Sequence, residues 1–256
     1  MSDARQAPAG DFDYEAHGAG YTDRRQPDPR IAALVRAALG DARTVINVGA
    51  GAGSYEPLDR YVVAVEPSAA MRAQRPLHLA PALDATAERL PFDDDSFDAA
   101  MAMITIHQWS DVDAGLRELR RVSRGPVAIL TFDAEALLDF WLNEYAPEVT
   151  VTERARFPAV DHVASVLGGE VEIIHVPVPI DCTDGFGEAY YARPEAFLDA
   201  DVRAAQSGWV LTDPDAVARG VAKLADDLAS GRWEQRHGHL RRQSERVGAV
   251  RLVVGR

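Results

Sequence analysis

The feature that most constrains this chain is a strand-like run, TVINV (Thr44 to Val48), that passes at once into the glycine cluster GAGAG (Gly49 to Gly53). A short β-branched run reads as a buried strand. Glycines at its end let the backbone turn tightly and approach a bound nucleotide without a Cβ in the way. Glu66 closes a second apolar run, YVVAVEP (Tyr61 to Pro67), where a carboxylate can accept hydrogen bonds from both hydroxyls of a ribose. Loop and carboxylate together predict a nucleotide-type site at the ends of two strands.

The remaining periodicity alternates strand with helix. Asp28 and Pro29 make a helix start, and Ile31, Leu34, Val35, Ala38 and Leu39 repeat at helical spacing until Gly40 stops the run. LHLAPALDA predicts a weak third strand, FDAAMAM (Phe97 to Met103) a fourth and PVAILTF (Pro126 to Phe132) a fifth. Val112, Leu116 and Leu119 mark a helix from Asp111 to Arg124, and AEALLDFWLNEY predicts another after the fifth strand. VEIIHVPVPI (Val171 to Ile180) follows a Gly168-Gly169 stop, and VRLVVG (Val250 to Gly255) reads as the last strand. The stretch between these two is too long for a plain loop. Val217, Val221, Leu224 and Leu228 predict one helix within it, and PEAFLDADVRAAQSGW another. Such alternation implies an α/β chain with a parallel sheet covered on both faces.

With 256 residues and 47% hydrophobic content, the chain can bury a sizeable core as one domain with an insertion. A formal charge of −13 weighs against nucleic acid and anionic membranes as partners, since both call for basic surface. No run approaches the roughly 18 apolar residues of a membrane span. The polar start MSDARQAPAG lacks the apolar core of a signal peptide and reads as a mobile tail, so a soluble, cytoplasmic setting is expected. Cys182, the only cysteine, can form neither an internal disulfide nor a cysteine-built zinc site. Asp93, Asp94 and Asp95 read as a solvated turn rather than a metal site, and His175 as a structural histidine.

Two cofactors suit a glycine loop with a ribose carboxylate: a nicotinamide dinucleotide and S-adenosylmethionine. The dinucleotide fingerprint G-x-G-x-x-G requires glycine where this chain has Ser54. Its usual hydride-transfer site also uses a lysine, and the sole lysine, Lys223, falls in a late amphipathic helix. TVINVGAGAGSYEP, VVAVEPS, TAERLPF (Thr86 to Phe92), DDDSFDAAMAM and ITIHQWSD (Ile104 to Asp111) follow one another in register. In order and spacing they resemble the class I S-adenosylmethionine-dependent methyltransferases of small-molecule type, over roughly residues 28 to 133.

The resemblance implies a Rossmann-like, seven-stranded, mostly parallel sheet with its last strand antiparallel, helices on both faces and a helical insertion before the last strand. Residues 1–27 would then be an N-terminal tail and lid segment, 28–180 the cofactor-binding core, 181–249 an insertion contributing to the acceptor pocket and 250–256 the final strand. The same resemblance implies roles. Gly49, Ala50, Gly51 and Gly53 would line the methionine and ribose part of the cofactor, and Glu66 would hold the ribose hydroxyls. Pro67 and Met71 would pack on the adenine, Thr86 and Ala87 would read its edge, and Met103 would lie under the sulfonium. Similar enzymes usually carry an acidic residue at the position of Asn47 that helps orient the methionyl ammonium. An amide oxygen can accept the same hydrogen bond, though more weakly, because charge-assisted hydrogen bonds are roughly twice as strong as neutral ones. Tyr14, Tyr21 and Arg25 belong to a segment that in similar enzymes folds over the cofactor, where an aromatic face favours a sulfonium; their plainer role is to anchor the tail.

The implied activity is methyl transfer to an oxygen, nitrogen or carbon of a small organic acceptor, an in-line displacement that needs alignment and the exclusion of water. A neutral hydroxyl acceptor also needs a base. His107 follows the fourth strand on the edge where open α/β sheets hold ligands, and an unperturbed imidazole titrates near neutrality, which makes it the candidate. The plainer alternative is that His107 and Trp109 pack the start of the next helix. Tyr14, Trp109, Glu188 and Tyr191, with Tyr190 and Arg193 nearby, are candidate acceptor contacts, or else the tyrosines fill the core of the insertion. Competing readings are a cyclase-type enzyme that keeps S-adenosylmethionine without transferring its methyl, a nicotinamide oxidoreductase, and an interaction protein that binds the cofactor without turnover.

Overall fold

The computed structural model of the chain describes residues 12–13 and 24–256. Strands β1 (Thr44–Val48), β2 (Tyr61–Val65), β3 (Ala82–Leu83), β4 (Ala99–Met103), β5 (Val127–Phe132), β6 (Val171–Pro179) and β7 (Glu245–Gly255) make one sheet in the order β3-β2-β1-β4-β5-β7-β6. β1 to β5 pair in parallel, and β7 runs antiparallel to both β5 and β6. The Rossmann-like sheet implied by the motif order is therefore present. From β1 the chain winds outward one way and from β4 the other, which opens a crevice beyond the carboxyl ends of these two strands.

Both faces are covered. Ile31 and Val35 of α1 (Pro29–Ala38) pack on one face with Met101 and Leu130, continuous with the aromatic core of the insertion. After the short α2 (Ala69–Ala73), Leu116, Leu119 and Val122 of α3 (Val112–Val122) cover the other face. Beyond α4 (Pro147–Arg156), Val163 and Leu167 of α5 (Val160–Leu167) join them. Small side chains along β4, AAMAM, are buried throughout and let layers approach from both sides. Asp28, Ser68 and Asp111 cap α1, α2 and α3 by accepting a backbone N–H, a contact that contributes about 0.5–2 kcal/mol at each helix start. No helix among the described residues is long and apolar enough to cross a membrane.

The structure departs from the sequence pattern at four places. AEALLDFWLNEY is not one helix but two 3-10 turns, Ala136–Asp139 and Trp141–Glu144, broken at the extended Phe140. Phe140, Trp141 and Leu142 are all buried, and a regular helix would spread three consecutive residues over different faces. PEAFLDADVRAAQSGW is likewise divided, into a 3-10 turn (Pro194–Leu198) and two short helices, α6 (Ala200–Ala204) and α7 (Ser207–Leu211). The predicted helix through Val217 and Leu224 is α8 (Pro214–Ala229), followed by α9 (Arg232–His237). β7 begins at Glu245, five residues before the expected start at Val250. Gly248, inside this extension, is where the Glu188 carboxylate reaches the strand, and a Cβ there would collide with it. The weak third strand shrinks to two residues.

Candidate functional site

β1 delivers the chain into a turn in which Gly49, Gly51 and Gly53 all adopt positive φ, at 68°, 51° and 99°. A Cβ on Gly49 would collide with the Thr105 side chain, so the glycine loop lies directly against the segment that follows β4. Met71 of α2 is buried against Gly51. Glu66, at the end of β2, is 7% exposed and accepts from Gly51 N through Oε2 and from Ser68 N through Oε1, each at 2.8 Å. Burial raises its carboxyl above the ordinary value despite these two N–H groups, which favour the charged form. Pro67 follows, half-buried; Ala87 is buried and Thr86 exposed on the loop after β3. Met103 ends β4, buried, beside the turn. The residues expected around a cofactor thus converge on one end of the sheet, apart from Tyr21, which lies outside the described residues.

Asn47 stands at the carboxyl end of β1. Its Nδ2 donates to Glu56 Oε1 at 2.9 Å, while its buried Oδ1 has no hydrogen-bond partner. A buried acceptor without a partner costs about 1–3 kcal/mol, so the position suits a ligand that brings a donor. A cradle of glycine backbone, a strand-end carboxylate able to accept two hydroxyls and an unpartnered acceptor for an ammonium fit the ribose and amino-acid ends of S-adenosylmethionine. Those residues would hold it. Lys223, by contrast, is tied up on α8, donating to Glu144 O over the Tyr145 ring.

Beyond β4 the backbone is strained. Ile104 sits at φ 51°, a region that β-branched residues rarely adopt and that costs on the order of 1–3 kcal/mol. The turn carries His107 into the wall of a cavity of about 100 Å³. Phe132, Phe140, Phe157, Phe186 and Trp209 give that wall its aromatic character. The His107 ring lies 4.3 Å from that of Phe157, and burial, followed by the charges of Arg156 and Arg25, holds its pKa well below the ordinary histidine value. A neutral imidazole in such a place can accept a proton from a bound molecule.

Polar groups also reach the cavity, and the charged ones among the described residues are paired. Glu188 accepts from Arg246 at 2.9 Å and from Ala249 N at 2.7 Å. Arg25 donates to Asp184 at 2.6 Å, Glu153 lies 3.4 Å from Arg156, and Arg156 in turn donates to Ser207 at 2.7 Å. Asp184 also accepts from Tyr55 at 2.8 Å, so one buried carboxylate joins the N-terminal segment, the glycine loop and the insertion. Burial and the Asp184 charge push the Tyr55 hydroxyl far above its ordinary value, which keeps it a neutral donor.

Of the expected acceptor contacts among the described residues, the structure brings only Glu188 to the cavity. Tyr191 is fully buried elsewhere, donating to Gln243 O at 2.6 Å while its own carbonyl accepts from Trp141, so it serves the core of the insertion. Trp109 packs on Gly115 at the start of α3, where a Cβ would strike its ring. Tyr14 lies outside the described residues. Phe12 and Arg25, flanking the undescribed stretch, both line the cavity. Sequence reasoning missed Phe157, Trp209, Gln206 and Ser207 as lining residues and Asp184 as a tie. They come from segments far apart in the chain, and only the apolar character of SGWV and RFPAV hinted at them.

A family model for a methyltransferase domain matches residues 46–129. The uncharacterized methyltransferase YcgJ of Bacillus subtilis is 31% identical over 112 residues, which make up 40% of this chain and 44% of that protein, so the match spans less than half of the relative's length. Among solved structures, a protein of Anabaena variabilis assigned as a methyltransferase from an antibiotic biosynthesis pathway superposes with a TM-score of 0.84 at 30% identity, over 91% of this chain and 99% of that one. The [4+2]-cyclase SpnF superposes with a TM-score of 0.51 at 19% identity, over 89% of this chain and 80% of its own, a likeness of fold alone.

Proposed function

Because this chain belongs to the class I S-adenosylmethionine-dependent methyltransferases, we propose that it passes a methyl group to an oxygen, nitrogen or carbon of a small, uncharged, largely apolar organic molecule. The observation that carries this reading is the aromatic cavity walled by Phe132, Phe157 and Trp209, adjoining the strand end that meets the glycine loop. Its charged neighbours Arg25, Glu153 and Glu188 each have an ionic partner, so a charged acceptor would find no counter-ion left over among the described residues.

When bound, S-adenosylmethionine supplies an electrophilic methyl on sulfur, displaced in line by the acceptor. The chain's own part is to align and to dehydrate. Glu66, Asn47 and the glycine backbone would hold the donor, and the aromatic walls would orient the acceptor and keep water out. His107 would take the acceptor's proton on a ring nitrogen where the nucleophile is a hydroxyl.

The test is turnover with methyl-labelled S-adenosylmethionine and a panel of neutral and charged aromatic acceptors. Labelled product together with S-adenosylhomocysteine from neutral acceptors is expected. Turnover confined to charged acceptors, or cofactor binding with no S-adenosylhomocysteine released from any acceptor, would overturn the proposal.

A further inference from the structure

Behind the glycine loop lies a buried polar chain. Arg75 Nη2 donates to both oxygens of Glu56, at 3.0 and 2.9 Å, and Glu56 accepts from Asn47 Nδ2 at 2.9 Å. The side chains of Glu56 and Arg75 are 1% and 3% exposed. Arg75 also donates to Gly51 O at 3.3 Å and to Ala80 O at 2.9 Å, so the pair is fixed both to the loop it backs and to the turn before β3. A Cβ on Gly53 would strike Leu79 and come close to Arg75 and Glu56, so the loop rests directly on this pair.

The consequence falls on the Asn47 amide. An amide can offer either its oxygen or its nitrogen to a given place, and the neighbours decide which. A carboxylate only accepts. Glu56 therefore takes Nδ2 and leaves Oδ1 as the buried acceptor that has no partner. Glu56 also stands between Arg75 and Asn47, so the amide meets the negative end of the ion pair.

We infer that Glu56 is a positioning residue for the amino-acid end of the cofactor: held by Arg75, it fixes Asn47 with Oδ1 free for the methionyl ammonium and places a carboxylate behind that contact. A cationic donor is the partner that gains most from this arrangement, since a neutral one would satisfy Oδ1 but draw little from the charge behind it. The inference rests on the assignment of S-adenosylmethionine to the glycine loop.

Calorimetric titration with two ligands separates the two ideas. S-adenosylhomocysteine carries the amino-acid end, and 5′-methylthioadenosine keeps the nucleoside and thioether but lacks it. Glu56→Gln should weaken S-adenosylhomocysteine by about tenfold or more while changing methylthioadenosine by less than about twofold. Adding Asn47→Asp to Glu56→Gln returns a carboxylate to the site, accepting from Gln at 56, and should recover most of the lost affinity. Should Glu56→Gln not fold with Arg75 left unpaired, Glu56→Gln/Arg75→Gln replaces the ion pair with an amide pair, and the same selective loss is expected. Equal loss for both ligands, loss for neither, or no recovery in the double variant overturns the inference. A wild-type protein that binds neither ligand overturns the cofactor assignment itself, and the inference with it.

Discussion

Replacing Glu66 by Gln changes one oxygen for an NH2 at nearly constant shape, and the structure sets what that should cost. Each carboxylate oxygen already accepts one backbone N–H, Oε2 from Gly51 and Oε1 from Ser68. An ionised carboxylate has about two acceptor positions on each oxygen, which leaves one per oxygen for a ribose hydroxyl. Whichever way the new amide turns, its NH2 faces a backbone N–H and one hydroxyl loses its acceptor. The surviving hydroxyl bond loses its charge assistance as well. Hydrogen bonds to charged groups contribute about 1.5–3 kcal/mol each, so the combined loss is about 2–4 kcal/mol, or roughly 30- to 700-fold in Kd. Calorimetric titration with S-adenosylhomocysteine measures it, with a thermal melt of the free protein as the control for folding. Methylthioadenosine should be lost in parallel, because it shares the ribose. A folded Glu66→Gln protein whose Kd lies within about threefold of wild type would refute the assignment of Glu66 to the ribose, and with it the reasoning from the glycine loop.

Other perturbations follow from the same geometry. Ribose hydroxyls would donate to the ionised form of Glu66, so binding would favour deprotonation: affinity should fall as the pH drops through the raised Glu66 range, a dependence that Glu66→Gln removes and that titration across pH detects. His107→Phe keeps the ring packed on Phe157 but removes the proton acceptor; with a hydroxyl acceptor, turnover should fall by about 100-fold or more while S-adenosylhomocysteine affinity stays constant, and unchanged turnover would show that His107 is not the base. The depressed His107 pKa also puts the acid limb of the turnover profile below the ordinary histidine range. Asp184→Ala breaks a buried ion pair with Arg25 and a hydrogen bond from Tyr55, and should lower the unfolding free energy by about 3–5 kcal/mol in a denaturant titration. Trp209→Ala opens the aromatic wall and should raise the KM for the acceptor while leaving the KM for the donor unchanged.

The half of the site around the glycine loop was legible in the sequence because its signals are local. A β-branched strand, a glycine turn and a strand-end acid lie within one strand–turn–strand stretch, and backbone geometry brings Gly51 and Glu66 within a hydrogen bond of each other. The aromatic cavity was not legible, because its wall combines β5, the turns after it, α4 and α7, and no spacing relates Phe132 to Trp209. Tyr191 misled for a physical reason: a tyrosine buried with its hydroxyl on a main-chain carbonyl has the same sequence appearance as one that lines a pocket. The division of AEALLDFWLNEY at Phe140 was hidden in the same way, since helical spacing says nothing of a core that demands three consecutive buried side chains. Glu56 and Arg75 lie 19 residues apart, and only the fold makes them a pair.

The central claim, that this glycine loop holds S-adenosylmethionine, is tested most directly by thermal unfolding of the purified chain with S-adenosylmethionine, S-adenosylhomocysteine, NAD and NADP. A ligand of the folded state present at 100 times its Kd stabilises by about 2.7 kcal/mol, which raises the midpoint of a chain of this size by several degrees. The account predicts that shift with S-adenosylmethionine and S-adenosylhomocysteine and none with either dinucleotide. Stabilisation by NAD or NADP alone would contradict it.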